Sequence, residues 1–73
     1  MLDRLQKVFR DVFQDPKLVI WRTTAAKDIR MWDSLTHLEL IASVEEEFNV
    51  KFSFDEVMGF NCVGDMLDVI EKK

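Results

Sequence analysis

Between Ser34 and Phe48 the chain carries an apolar arc too wide for a helix that merely lies on a surface. Advancing ~100° per residue, Leu35, Leu38, Leu40, Ile41, Ala42, Val44 and Phe48 fill roughly 220° of the helical wheel. Thr36, Glu39, Ser43, Glu46 and Glu47 occupy the narrow, acidic remainder. Such a helix has to sit centrally and touch several neighbours, which directs the fold towards a helical bundle. Asp33 supplies its N-cap, because a carboxylate there can accept first-turn N–H groups. Asn49 can take the left-handed conformation that closes the helix, with Val50 folding back on the end.

The neighbours of that helix are shorter. Residues 2–14 place Leu2, Leu5, Val8, Phe9, Val12 and Phe13 three and four apart, the stripe of an amphipathic helix. Asp15-Pro16 ends it, since proline disfavours helix in the preceding residue. Ser53 and Glu56 have capping-box spacing, and Gly59 stops the helix they start soon afterwards. Asn61 is expected to cap a last helix with Val63, Met66, Leu67 and Ile70 as its buried stripe. Lys72 and Lys73 suit its negative end.

Residues 15–33 are the least helix-like. A lone strand there has nothing to pair with, so the segment reads as a loop with one short turn near Ala25-Ala26-Lys27-Asp28. Ile20, Trp21, Ile29 and Trp32 are its expected anchors, and a connection that long is usually functional or disordered. The expectation is an all-α domain spanning residues 1–73. It is a four-helix bundle with three longer helices, one short one, and a long loop between the first two.

Composition narrows the function. A chain of 73 residues buries only about 60% of its unfolded surface, which leaves little room for a deep catalytic cleft. With 48% hydrophobic and 33% charged residues, it falls among folded proteins rather than disordered tails. A formal charge of −4 argues against nucleic acid, whose binding needs basic phosphate contacts, and favours partners with basic surfaces. One cysteine, Cys62, and one histidine, His37, cannot build a disulfide or a zinc site. The same scarcity suits a reducing cytosol. No apolar run approaches ~20 residues and Met1-Leu2-Asp3-Arg4 lacks a signal-peptide pattern, so a cytoplasmic, free-standing, monomeric protein without an integral membrane segment is expected.

The segment Trp32-Asp33-Ser34-Leu35-Thr36-His37-Leu38-Glu39-Leu40-Ile41-Ala42 carries the functional signal. It is followed by Val44-Glu45-Glu46-Glu47-Phe48, and later by Val63-Gly64-Asp65 ahead of a short apolar helix. In this combination the chain resembles the acyl carrier proteins, well over residues 28–70 and in outline over residues 1–27. The resemblance implies that a phosphopantetheinyl transferase moves 4′-phosphopantetheine from coenzyme A to the Ser34 hydroxyl, with Asp33 and Leu35 framing the site. Acyl groups would then be held as thioesters on the arm, with shelter between the helices at Leu38, Ile41 and Phe60.

It further implies that Thr36, Glu39, Ala42, Ser43 and Glu46 lie on the face read by acyl-loading and acyl-transferring enzymes. Asp33, Glu39 and Glu46 match the family's acidic positions. Thr36 stands where many fatty-acid carriers have an acid, and Ala42 where a larger apolar residue is common. Ile29-Arg30-Met31-Trp32 replaces a usual Leu-Gly pair, with Trp32 expected to cover the loop. These departures favour a specialised lipid, polyketide or envelope-polysaccharide route over bulk fatty-acid synthesis. An aminoacyl or peptidyl carrier of the same fold, or an arm-free acidic interaction module, are the alternatives.

The residues themselves agree with a carrier. At a helix start, unpaired N–H groups and the dipole favour a phosphate. Ser34 and His37 are three apart, but a hydrolase also needs a group orienting the base and an oxyanion hole. No Gly-x-Ser-x-Gly elbow is present. His37 reads instead as a partly exposed residue at the rim of the apolar arc.

Overall fold

The periodicity of the three longer segments becomes helix. The computed structural model, which describes residues 1–73, contains α1 (Leu2–Val12), α2 (Ser34–Phe48), α3 (Phe54–Met58) and α4 (Val63–Lys72), with one 3₁₀ turn at Ala26–Asp28. No strand forms; Ala25 and Cys62 make a single antiparallel bridge. No helix is long and apolar enough to cross a membrane. The core is one cluster in which Leu5, Val8 and Phe9 of α1 meet Leu40, Ile41 and Val44 of α2 and Val63, Met66, Leu67 and Ile70 of α4.

Helix ends follow local chemistry. α1 stops at Val12 rather than at residue 14, because Gln14 turns left-handed (φ 52°) and the Asp15 N–H bonds the Arg10 carbonyl at 3.0 Å. That six-to-one bond closes the last turn before Pro16. Asn49 does the same for α2, with φ 53° and a Val50 N–H bond to the Glu45 carbonyl at 3.1 Å. Ser53 and Glu56 cap α3 reciprocally at 3.1 and 2.8 Å.

Two expectations about α2 and the loop need correction. Leu35 and Leu38 are 68% and 63% exposed, and Ala42 is also exposed. Periodicity reports where apolar side chains point, not whether another element covers them, and the five-residue α3 is too short to do so. Trp21 is 64% exposed while its neighbour Ile20 is buried. A tight turn aims the chain: the Trp21 N–H bonds Thr24 Oγ1 at 2.8 Å, and Thr24 is the buried partner. The loop is fixed to α1 instead by Gln6, which accepts the Ile20 N–H at 3.0 Å, and by Arg10, which donates to the Leu18 carbonyl at 2.6 Å.

Asn61 does not cap α4. The N-cap is Cys62, without a side-chain bond; the Asn61 backbone N–H instead donates to Asp65 Oδ2 at 2.9 Å. Loop carbonyls do the capping. Val63 N–H donates to Thr24 O and Gly64 N–H to Arg22 O, both at 2.8 Å. This satisfies donors that every helix start leaves open. The approach is close enough that a Cβ on Gly64 would lie 3.0 Å from the Arg22 oxygen. Gly64→Val should therefore destabilise the fold by about 1–3 kcal/mol through overpacking, read as a lower urea midpoint. An unchanged midpoint would mean that the loop yields freely.

Candidate functional site

Asp33 is extended (φ −123°, ψ −171°), and its Oδ1 accepts the Leu35 and Thr36 N–H groups at 3.0 Å each. Thr36 completes the box: its Oγ1 accepts the Asp33 N–H at 2.8 Å and donates to the Met31 carbonyl at 2.6 Å. Thr36 thus holds the loop to the helix start, in the position where Glu or Gln usually closes a capping box. The Thr36 N–H is the main cause that holds the Asp33 carboxyl below the usual range, aided by the Thr36 hydroxyl and the Leu35 N–H. The expectation of several free N–H groups is corrected, because only the Ser34 N–H has no acceptor in the first turn.

Ser34 is exposed as the first residue of α2 and borders a mostly apolar groove of about 510 Å³. Trp32, His37 and Leu38 wall the groove on one side, and Val57, Met58 and Phe60 on the other. Two of the expected shelter residues, Leu38 and Phe60, are therefore beside Ser34. Ile41 is buried in the core and borders no hollow. Leu35 points into solvent next to the site.

Trp32, two residues before Ser34, is only 5% exposed. Its ring meets Phe9 edge-on at 5.3 Å and stacks on His37 at 6.0 Å. The indole Nε1–H donates to His37 Nδ1 at 3.0 Å, and His37 Nε2 lies 3.1 Å from the Val57 carbonyl. Indole can only donate, so Nδ1 is the acceptor and Nε2–H donates to Val57. Both ring nitrogens are engaged, and neither is free to activate Ser34.

The acidic stripe divides by partner. Glu45 accepts the Phe52 N–H at 2.8 Å, and Glu47 pairs with Arg4 at 3.1 Å while that guanidinium sits 4.6 Å over Phe48. Glu39 and Glu46 are exposed with no protein partner, and Ala42 lies exposed between them. Ser43 is half-buried beside Glu46 and Glu47, in a hollow shared with Val8 and Asp11 of α1. Phe54 and Met58 of α3 are 77% and 65% exposed despite their apolar side chains, and Met58 borders the groove. The reason is the brevity of α3, whose single turn and a half cannot bury both faces.

Residues 3–70 match the family described as a phosphopantetheine attachment site. The chain belongs to the acyl carrier protein family. It is 34% identical over 74 residues to the acyl carrier protein of Thermosynechococcus vestitus, covering 100% of this chain and 90% of that one. Against the acyl carrier protein of Buchnera aphidicola it is 31% identical over 71 residues, covering 97% and 89%. Its fold superposes on the solution NMR structure of a holo acyl carrier protein from Geobacter metallireducens with a TM-score of 0.91 at 44% identity, covering 99% of this chain and 83% of that one. Members of this family are carriers rather than enzymes, and their prosthetic group is 4′-phosphopantetheine. An exposed hydroxyl at a helix start beside an apolar groove fits that group.

The Asp33 cap gives a pH prediction. Its folded pKa is depressed, so its stabilisation is complete above the unfolded value near 3.9 and disappears as pH falls through the lower folded value. Asp33→Asn should melt earlier than the wild type at pH 7, with the gap closing below about pH 4. A gap that persists at pH 2 would show that the carboxylate charge is irrelevant to the cap.

Proposed function

We propose that Ser34 is the attachment point of the arm and that this single-domain, monomeric carrier holds acyl intermediates in a specialised cytoplasmic lipid, polyketide or envelope-polysaccharide route. The observation that carries the reading is the placement of Ser34. Of the serines, Ser43 is half-buried within α2 and Ser53 has its Oγ committed to the α3 cap. Ser34 alone combines an exposed hydroxyl, a helix start and an adjoining apolar groove. When bound, the arm supplies a terminal thiol that carries acyl groups as thioesters. The protein's part is to present that arm: the Asp33 and Thr36 box orients the Ser34 backbone, and Leu38, Met58 and Phe60 offer apolar surface beside it.

The acidic stripe supports the partner half of the reading. Glu39 and Glu46 are unpaired charges on one exposed face with Ala42 between them, suited to the basic patch of a transferase or an acyl-handling enzyme. Thr36 and Ser43 frame this face from the cap and from the α1 side. The neutral Thr36 and small Ala42 give it less charge and bulk than a housekeeping fatty-acid carrier presents, which favours specialised partners.

Treating the chain with coenzyme A and a broad-specificity phosphopantetheinyl transferase should add the mass of one arm. Ser34→Ala should remain helical by circular dichroism and gain no mass. No gain in the wild type would favour an arm-free interaction module, and loading by aminoacyl rather than acyl donors would favour an aminoacyl or peptidyl carrier.

Reversing both charges, Glu39→Lys with Glu46→Lys, should slow arm transfer roughly tenfold or more and flatten its salt dependence, as loss of electrostatic steering requires. Equal rates at all salt concentrations would mean that the stripe is ordinary solvated surface.

A further inference from the structure

The groove beside Ser34 ends abruptly. None of the fully buried side chains, Leu5, Phe9, Leu40, Val44 and Met66 among them, borders any hollow of the molecule. Two buried core members line the groove and separate it from the core: Phe60, and the Trp32 indole, which has the fully buried Phe9 ring 5.3 Å away. An acyl chain can enter the core from this groove in two ways. Either the indole swings aside, or α3 shifts away from α2 to open a path past Val57.

Both routes run through His37. Its Nδ1 holds the indole Nε1–H at 3.0 Å and its Nε2–H holds the Val57 carbonyl of α3 at 3.1 Å. Swinging Trp32 strips the donor from the Nδ1 of a half-buried imidazole and breaks the contacts with Phe9 and Phe13. Moving α3 breaks the second bond, which leaves the Nε2–H of the half-buried imidazole without an acceptor and the Val57 carbonyl with only the longer bond from the Phe60 N–H at 3.4 Å. Removing one partner from such a pair costs more than the bond itself contributed, because the other group stays desolvated. An apolar chain entering the core has to offset those losses before its own burial counts.

We propose that Trp32 and His37 form a partition that confines cargo to the outer groove, so that this carrier handles short or polar acyl groups rather than long saturated chains. They act as specificity-determining residues, and the proposal rests on the attachment of the arm at Ser34. A short acyl group fits along Leu38, Met58 and Phe60, and a polar one tolerates the solvent beyond them. A long saturated chain finds no core tunnel and stays partly in water.

The test uses the full chain charged with butanoyl or decanoyl arms from the corresponding coenzyme A thioesters, with intact mass verifying each product. Melting temperature and methyl NMR shifts are then compared between the two cargoes. For the wild type, the two melting temperatures should coincide, and shifts should appear at Leu38, Val57 and Met58 but not at Leu40, Val44 or Met66. In Trp32→Leu, the decanoyl form should melt above the butanoyl form and its shifts should spread to those core methyls, because a buried chain stabilises the native state. A merely structural Trp32 would lower both melting temperatures equally.

Wild-type core shifts, or a wild-type melting temperature that rises with chain length, would overturn the proposal. The wild-type pair decides this even if Trp32→Leu fails to fold. If the transferase adds no mass, the attachment reading fails on its own. The partition is then read by the same measurements on Ser34→Cys with Cys62→Ser, alkylated with butyl or decyl iodoacetamide.

Discussion

The Trp32 indole joins the parts of this molecule that sequence separation would leave apart. It stands at the end of the long loop, one residue before the Asp33 cap and two before Ser34. Its ring contacts Phe9 and Phe13 at the α1 end, stacks on His37 in α2, and through that imidazole reaches the backbone of α3. Truncating a buried aromatic typically costs about 3–5 kcal/mol, against a total stability of about 5–15 kcal/mol for a domain. A contact of that size next to Ser34 makes the junction one of the best-anchored places in the chain. The long loop then serves to bring Ser34 to a fixed position.

The same economy of contacts appears around the loop. Arg22 and Thr24 carbonyls supply the cap that α4 lacks in its own sequence. Gln6 and Arg10 hold the loop to α1. Thr36, read from sequence as a departure on the docking face, ties Met31 and Asp33 together at the start of α2. Between these ties the surface next to Ser34 stays open and apolar, with Leu35, Leu38 and Met58 uncovered. Rigid backbone beside accessible apolar surface is what a tethered, flexible arm needs if its cargo is to be presented in a defined direction.

Much of this was legible in the order of residues. Apolar spacing located the three longer helices, the Ser53–Glu56 pair and Gly59 located the short one, Asp33 and Asn49 marked the ends of α2, and the turn at Ala26–Asp28 fell where an alanine-rich tetrapeptide suggested it. Ser34 stood out from its flanking residues alone. What escaped depends on contacts between distant segments. The capping of α4 by carbonyls about forty residues upstream, Arg22 for Gly64 and Thr24 for Val63, leaves no local mark, so Asn61 looked like the better cap. Trp21 and Trp32 are equally apolar, yet one faces solvent and the other fills the core. His37 revealed its role only once its two ring nitrogens had partners.

The central claim is that one hydroxyl, set at a fixed junction beside an apolar groove, carries the arm. Tandem mass spectrometry on peptides of the arm-loaded chain tests it most directly. The account predicts that the added mass maps to Ser34 alone, within the peptide that follows Arg30. Added mass on Ser43, Ser53 or any threonine would contradict it.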